Sequence, residues 1–533
     1  MTTKRIFLIV GGIVSLLVIC IIGVSLALFI FSDTLNSSFA DLNNPAGEID
    51  AESAAAFDPA TLPEFIPKNC PFRTPADVEV ECGTVLVPQD WDNPNNGNVA
   101  GLAVAVYRST NPSPEPDPVI YLDGGPGGFT LEILPFVFDD NIAPWLSERD
   151  YITYDQRGIG FSQPEVQCPE VKELELDWMD SREDWEDAKP VYISTLETCR
   201  DRLVSEGIDL TTFDSATSAA DVDAIRQALG YEQWNLWGVS YGTRLAQTVM
   251  RDFPAGVRSV ILDSAYPTSA DLYENYPRSL NQSFSIFFNS CKNDAECNAN
   301  YPDLENRFYA VVEELNENPV EIEIQNFLTG ETYNALFWGD NLVGMLFQAL
   351  YTPSQFIQMP DIIDDLENRE MDDAISMEEL SLVNNDFFSS AIYRTIQCRE
   401  EYPFSSTDDA NVAIQSNPRL IEYFDDYEFS LDVCDIWEAG EASTIENDPV
   451  ASEIPTLILA GGFDPVTPPG WGESLQRSLS NSYFVVVPEL AHGIFNHDSC
   501  TQGIGLDFVD NPGVEPKSGC IDEIPAPVFE EPD

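Results

Sequence analysis

The sequence predicts an α/β fold: a mainly parallel central sheet flanked by helices, with a large, mainly helical insertion between strands 6 and 7 and an N-terminal transmembrane helix ahead of it. Three observations carry this. Short apolar runs rich in β-branched and aromatic residues alternate with helix-like stretches, the pattern of a parallel sheet. That alternation lapses between Ala265 and about Glu453, where helical periodicity takes over, and then resumes. Residues 6–31 form an unbroken uncharged run of 26 preceded by Lys4 and Arg5, and about 20 residues suffice to cross a bilayer.

In chain order, strand-like runs fall at 78–87, Val99–Tyr107, Val119–Leu122 and Tyr151–Tyr154. Residues 218–230 read as a capped helix ending in glycine. Apolar strands follow at 234–237 and 257–262, and after the insertion at 456–460 and 483–487. Within the insertion, 304–315 and 341–350 have helical spacing, and 361–382 is an acidic helix-like stretch. The expected organisation is a cytoplasmic tail 1–5, a membrane anchor 6–31, an acidic stalk 32–65, a core in two parts (66–265 and 451–533), and a cap over 266–450. The stalk lacks Lys and Arg and is rich in Ala, Asn, Asp, Glu and Pro, a composition that resists compact folding. A cleaved signal is the alternative to a retained anchor; Ser38-Phe39-Ala40 is a small-residue site but lies far downstream of the apolar run.

The most informative stretch is Gly238-Val239-Ser240-Tyr241-Gly242. It follows an apolar strand and opens a helical run, the setting a nucleophile elbow requires. The turn is so tight that its flanking residues need to be glycine, and the helix points its positive end at the serine. A serine nucleophile needs a base, and the chain has two histidines. His492 lies on a loop just past the strand at 483–487 and is favoured; His497 sits in a polar loop, Asn496-His497-Asp498. The acid should fall between them in chain order. Asp464, after the apolar strand and Gly461-Gly462, is the leading candidate; Asp263, at the end of the strand at 257–262, is its rival. A strand ending in Asp123-Gly124-Gly125-Pro126-Gly127-Gly128 offers backbone amides to an oxyanion. The expected donors are the amides of Tyr241 and Gly125. No Gly-Lys-Ser/Thr follows, which argues against a phosphate loop.

Taken with Asp155-Gln156-Arg157-Gly158-Ile159-Gly160-Phe161-Ser162, these motifs stand in a familiar order. From about residue 66 to its end the chain resembles the α/β-hydrolases of the prolyl aminopeptidase and tripeptidyl aminopeptidase group, above all the secreted bacterial form with paired cysteines and a long cap. Prolyl aminopeptidases usually carry His before Gly-Gly-Pro-Gly; here Asp123 stands there, which weakens the proline-specific reading. The resemblance implies an α/β-hydrolase fold and an extracytoplasmic serine exopeptidase acting on peptides with free N-termini, without metal or organic cofactor. Asp155 and Arg157 would brace the loop beneath the site. Acidic residues would receive the substrate ammonium, and Glu400 and Glu401, beside Cys398, are the candidates. It also implies neighbour pairing of the ten cysteines outside the membrane run: Cys70–Cys82, Cys168–Cys199, Cys291–Cys297, Cys398–Cys434 and Cys500–Cys520. An even number of such cysteines suits an oxidising compartment.

Two other readings share these residues. An esterase would use the same triad, and a cell-surface binding protein could sit on a silent hydrolase fold, although the intact triad argues against silence. The net charge of −66, from 91 acidic and 25 basic residues, excludes nucleic-acid binding, which needs a basic surface. It suits solubility outside the cell or attraction of cationic peptide ends. No metal site is expected: there is no C-x-x-C, and the histidines are not at ligand spacing from a cysteine pair.

Overall fold

The computed structural model describes residues 62–183, 185–424 and 429–532. The proposed tail, anchor and nearly all of the stalk lie outside the described residues, and among those described no helix is long and apolar enough to cross a membrane.

Nine strands form the central sheet: β1 (Glu64–Lys68), β2 (Val80–Pro88), β3 (Val99–Tyr107), β4 (Val119–Leu122), β5 (Tyr151–Tyr154), β6 (Trp234–Val239), β7 (Val257–Asp263), β10 (Thr456–Gly461) and β11 (Ser482–Val487). Their order is β1-β2-β3-β5-β4-β6-β7-β10-β11. The three pairings at the β1 edge are antiparallel, and the five from β5 onward are parallel. Side chains alternate across the sheet with period two. Leu102, Val104 and Val106 of β3 and Ile120 and Leu122 of β4 face one buried layer, while Ala103, Ala105, Val119 and Tyr121 face the other. The first layer is covered by helices Trp185–Ser205, Ser215–Leu229 and Tyr241–Asp252, the second by the segment around Trp145 and helix Ser499–Asp510. Helix Ser215–Leu229 starts three residues ahead of the expected 218, where Asp214 caps it by accepting from Thr217 N at 2.8 Å, and it ends as expected, with Gly230 leaving it at φ 79°.

The strand count departs from expectation. Glu64–Lys68 pairs antiparallel with β2, so regular structure begins ahead of residue 66 and the insertion follows the seventh sheet strand rather than the sixth. A Pro and two polar residues in a run of five masked this edge strand. The insertion is mainly helical but also holds an antiparallel hairpin, β8 (Val320–Gln325) with β9 (Thr332–Phe337). In β8 the glutamates face solvent while Ile322 and Ile324 are buried. The acidic stretch 361–382 is not one helix: Met359–Glu367 and Asp372–Asn384 are separated by a turn with Arg369 at φ 65°. The ten cysteines among the described residues are all paired, in the five combinations the resemblance implies.

The cap's apolar core is continuous with the site-bearing loops. Phe463, Val466 and Ala491 belong to the same cluster as the cap helices, and the Phe356 ring stacks on Phe463 at 4.5 Å.

Several carboxyls lie deep in this fold. Burial pushes Asp123, Asp155 and Asp263 up to about 6 and Glu401 up to about 7. In the unfolded chain such groups titrate near 4, so between about pH 4 and 7 the native state holds more protons than the unfolded state. Stability then falls as pH rises through that window, and charge repulsion in so acidic a chain adds in the same direction. The melting temperature is expected to be several degrees higher at pH 5.5 than at pH 8; a scanning-fluorimetry series in constant ionic strength checks this, and a flat or rising profile would contradict it.

Candidate active site

Ser240 sits between the end of β6 and helix Tyr241–Asp252 at φ 56°, ψ −125°. A non-glycine residue held in such a region costs about 1–3 kcal/mol and persists only where its surroundings over-determine it. Here they do. A Cβ on Gly242 would stand 1.9 Å from the Leu122 carbonyl oxygen, and one on Gly238 would stand 2.4 Å from that of Gly242. Thr243 locks the turn, its amide and hydroxyl both donating to the Ser240 carbonyl at 2.9 and 2.6 Å. Ser240 and Tyr241 stand at the amino end of the helix, where amides lack intrahelical acceptors and the dipole favours negative charge.

The structure brings the candidate acid and base together. His492 Nδ1 is 2.8 Å from Asp464 Oδ2, and both side chains are wholly buried. Asp464 is itself held rigidly: Oδ1 accepts from the amides of Val466 and Thr467 at 3.0 and 2.8 Å, and Oδ2 accepts the Thr467 hydroxyl at 2.7 Å. With Nδ1–H donated to the carboxylate, Nε2 of a neutral imidazole is left as the acceptor. The cap also touches this histidine. Its amide donates to the Tyr351 carbonyl at 3.2 Å, and the Tyr351 ring lies 4.9 Å from the imidazole. His497 does not join the pair; its Nε2 lies 3.1 Å from the His492 carbonyl, and burial lowers its pKa and favours the neutral ring.

Asp263, the rival acid, places its carboxylate on backbone amides of the histidine loop, while Asp464 takes the imidazole Nδ1. Its main-chain carbonyl accepts from Ser240 N at 3.1 Å. Its carboxylate accepts from the amides of Ile494 and Phe495 at 2.9 and 3.0 Å. Next to it Ser264, at φ 56°, accepts from Gly493 N at 2.8 Å. The pair thus ties the elbow to the histidine loop. Phe495 pins that loop from below, stacked on Trp145 at 5.1 Å and 4.5 Å from Trp237. Sequence reasoning missed Ser264, Thr467 and Tyr351. The Asp-x-x-Thr spacing of Asp464 and Thr467 was a legible signal of a side chain bonding to its own turn; Tyr351, distant in sequence, left none.

The glycine loop after β4 is braced from beneath. Asp155 accepts from the amides of Thr130 and Leu131, each at 2.9 Å, and from Phe161 at 2.8 Å. Gln156 donates to the Asp123 carbonyl at 3.1 Å. Asp123 points inward, accepting from Gly124 N, Tyr121 Oη and Thr130 Oγ1. Arg157 braces something else: its guanidinium grips Asp221 of helix Ser215–Leu229 at 2.6 and 2.7 Å and the carbonyls of Gln89 and Thr212. Gly125 and Gly127 have φ of 108° and 113°, backbone that only glycine adopts freely.

Glu400 and Glu401 are almost fully buried. Both oxygens of Glu400 are already engaged: one by Ser215 N, the other by the Ser215 hydroxyl at 2.7 Å and Arg244 Nε at 3.1 Å. The Ser215 hydroxyl also lies 2.9 Å from the Tyr241 hydroxyl. Glu401 makes longer contacts, to Arg244 at 3.4 Å and Leu272 N at 3.3 Å. Among the described residues, Asp361, Asp365 and Asp373 bring carboxylate oxygens within 4.8 Å of one another; this group lies in the cap and shares no residue with the site.

Local packing predicts opposite outcomes for two glycines. Gly242→Ala places a methyl group against backbone and should lower unfolding free energy by about 3 kcal/mol or more. Gly344→Ala, in helix Gly339–Ala349 with nothing within 4 Å of the added carbon, should raise it by up to about 1 kcal/mol. Urea denaturation midpoints of the two variants measure both.

A model of the alpha/beta hydrolase fold family matches residues 117–496, spanning the glycine loop, elbow, cap and histidine. Serine protease Hip1 of Mycobacterium tuberculosis is 25% identical over 458 residues, covering 82% of this chain and 86% of its own. Carboxylesterase B of the same organism is 26% identical over 474 residues, covering 84% and 86%. Tripeptidyl aminopeptidase of Streptomyces lividans is 30% identical over 200 residues, 36% of each chain. The chain therefore belongs to the alpha/beta hydrolase family.

Proposed function

We propose that this protein is an extracytoplasmic serine exopeptidase that cleaves peptides near a free N-terminus, in the manner of prolyl or tripeptidyl aminopeptidases. The single observation that carries the reading is the buried Asp464–His492 pair, whose histidine loop Asp263 and Ser264 tie to the strained Ser240 elbow. The enzyme is a serine hydrolase. Ser240 attacks the carbonyl while His492 Nε2 takes its proton, then returns it to the leaving amine; water next attacks the acyl-enzyme with His492 again as base. Asp464 holds the imidazole in the tautomer that leaves Nε2 free and stabilises it once protonated. The amides of Tyr241 and Gly125 receive the oxyanion. Peptidase relatives, one a named tripeptidyl aminopeptidase, support peptide substrates. Of the two acidic candidates for the substrate ammonium, Glu401 is the better placed, because Glu400 is committed to Ser215 and Arg244. Five disulfides support an oxidising compartment, and the apolar run at 6–31 would anchor the enzyme with its catalytic part outside.

A second reading, an esterase with the same triad, is favoured by the similarity to carboxylesterase B. Incubating the purified protein with unblocked peptides, N-acetylated peptides and short esters, beside Ser240→Ala, separates the two by mass spectrometry. Ladders from free N-termini alone, absent in the variant, establish the exopeptidase; turnover of esters alone establishes the esterase.

Two substitutions test the proposed roles. Asp464→Asn should lower kcat by about 10⁴-fold with KM little changed, since the amide holds the wrong imidazole tautomer. Asp263→Ala frees the histidine loop without touching the triad, and a displacement of about 1 Å is worth about 10²-fold; a kcat loss of that order in active-site-titrated protein is expected. Full activity in either variant would contradict its assigned role.

A further inference from the structure

Helix Ser390–Glu400 of the cap is unusual in what it buries. Its ten residues Ala391–Glu400 are all buried, among them Arg394, Thr395, Gln397, Arg399 and Glu400. A helix that served only as a lid would bury one apolar stripe and leave its polar face to water. Burying charged groups is costly unless each is paired: Arg394 donates to the Tyr192 hydroxyl at 3.1 Å, Arg399 to Asp214, and Glu400 accepts from Arg244, while further bonds at the two ends of the helix reach the site.

The N-terminal end is bonded to the glycine loop. Phe129 N donates to the Phe387 carbonyl at 3.0 Å, and Ser389 N donates to the Gly127 carbonyl at 2.9 Å, a short antiparallel bridge centred on Gly128 and Phe388. The Phe388 ring covers the loop: a Cβ on Gly125 or Gly127 would stand 3.4 or 3.3 Å from its Cε2. Ser389 fastens this junction twice, donating its hydroxyl to the Val166 carbonyl at 2.5 Å and capping the helix by accepting from Ile392 N at 3.1 Å.

The C-terminal end is bonded to the nucleophile helix. Glu400 takes Arg244 Nε and, through the Ser215 hydroxyl, the Tyr241 hydroxyl. Tyr241 and Arg244 are the first and fourth residues of the helix that begins at the elbow. Between these ends the helix is braced sideways by the Cys398–Cys434 disulfide, by the Trp437 indole donating to Thr395 at 2.8 Å, and by Arg399 on Asp214 at 2.8 Å. Eleven residues at about 1.5 Å each make a strut of roughly 16 Å.

We propose that this helix is a positioning element for the oxyanion hole, with Ser389 and Glu400 as its positioning residues: it holds the Gly125 loop at one end and the Tyr241 end of the nucleophile helix at the other, and so sets the separation of the two donor amides. The inference rests on the serine-hydrolase reading and extends it, because the two donors lie on segments far apart in the chain and this helix bonds to both. A hole whose donors are misplaced loses stabilisation of the transition state and not of bound substrate.

The test uses Ser389→Ala, Glu400→Gln and their double variant, with Phe388→Leu as a milder change should either fail to fold. Leu342→Ala, in the cap's apolar core, serves as a purely destabilising control. Functional sites are counted by fluorophosphonate labelling. The readouts per labelled site are kcat and KM on p-nitrophenyl butyrate, and the inhibition constant of phenylboronic acid, whose tetrahedral serine adduct puts a negative oxygen where the oxyanion forms. Each positioning variant should lose about 10-fold or more in kcat with KM changed less than about 2-fold. Boronate affinity should weaken by a similar factor. The double variant should fall short of the product of the two losses, since both act through one strut. Leu342→Ala should lose labelled sites only. Values of kcat and boronate affinity per labelled site within about 2-fold of wild type would overturn the proposal, as would equal changes in Leu342→Ala. If the wild-type protein takes no label, or Ser240→Ala labels equally, the serine-hydrolase reading itself fails and the proposal falls with it.

Discussion

Asp263 is where the two chemical ends of this chain are joined. Its carbonyl accepts from the amide of Ser240 and its carboxylate from the amides of Ile494 and Phe495, residues more than two hundred positions away. Because β6 and β7 are adjacent parallel strands, with Val239 opposite Asp263, the elbow and this aspartate emerge together from the sheet's C-terminal edge. The histidine loop is then drawn onto the same edge. Burial of the carboxylate is costly; its two amide donors offset part of that cost and make the join specific, since an apolar side chain at this position would leave both amides unpaired.

The same economy recurs around the site. Each proposed functional group is held by a group that is not itself a reactant. Thr467 and its own backbone orient Asp464; Tyr351 contacts His492 from the cap; Asp155 and Gln156 support the glycine loop from the core; Phe387–Ser389 meet that loop from the cap. The insertion is therefore structurally continuous with the hydrolase core, sharing an apolar cluster with the loops of Asp464 and His492.

Much of the molecule's charge plays no part in this. The acidic surplus lies largely on exposed positions, where pairs are worth little. The cations that matter are few and buried: Arg157 on Asp221, and Arg244 between Glu400 and Glu401. These bind segments that are distant in sequence; removing Arg157, Asp221 or Arg244 would leave buried charge uncompensated.

The sequence by itself determined the sheet's main strands and the elbow, and pointed to the candidate serine, acid and histidine, because those features are local. Glycines at a tight turn and carboxylates at strand ends are written within a few residues, and a count of two histidines left little choice of base. The edge strand Glu64–Lys68 and the hairpin β8–β9 were missed because short strands among polar residues give weak periodicity. The assignments of Asp263, Ser264, Tyr351 and Glu400 belong to the tertiary structure alone. An aspartate at a strand end, or a glutamate beside a cysteine, has no intrinsic role; its role is set by which amide or guanidinium the fold brings to it. Only the packed structure could decide that Glu400 is held by Ser215 and Arg244, since the energy that keeps it there comes from partners more than 150 residues away.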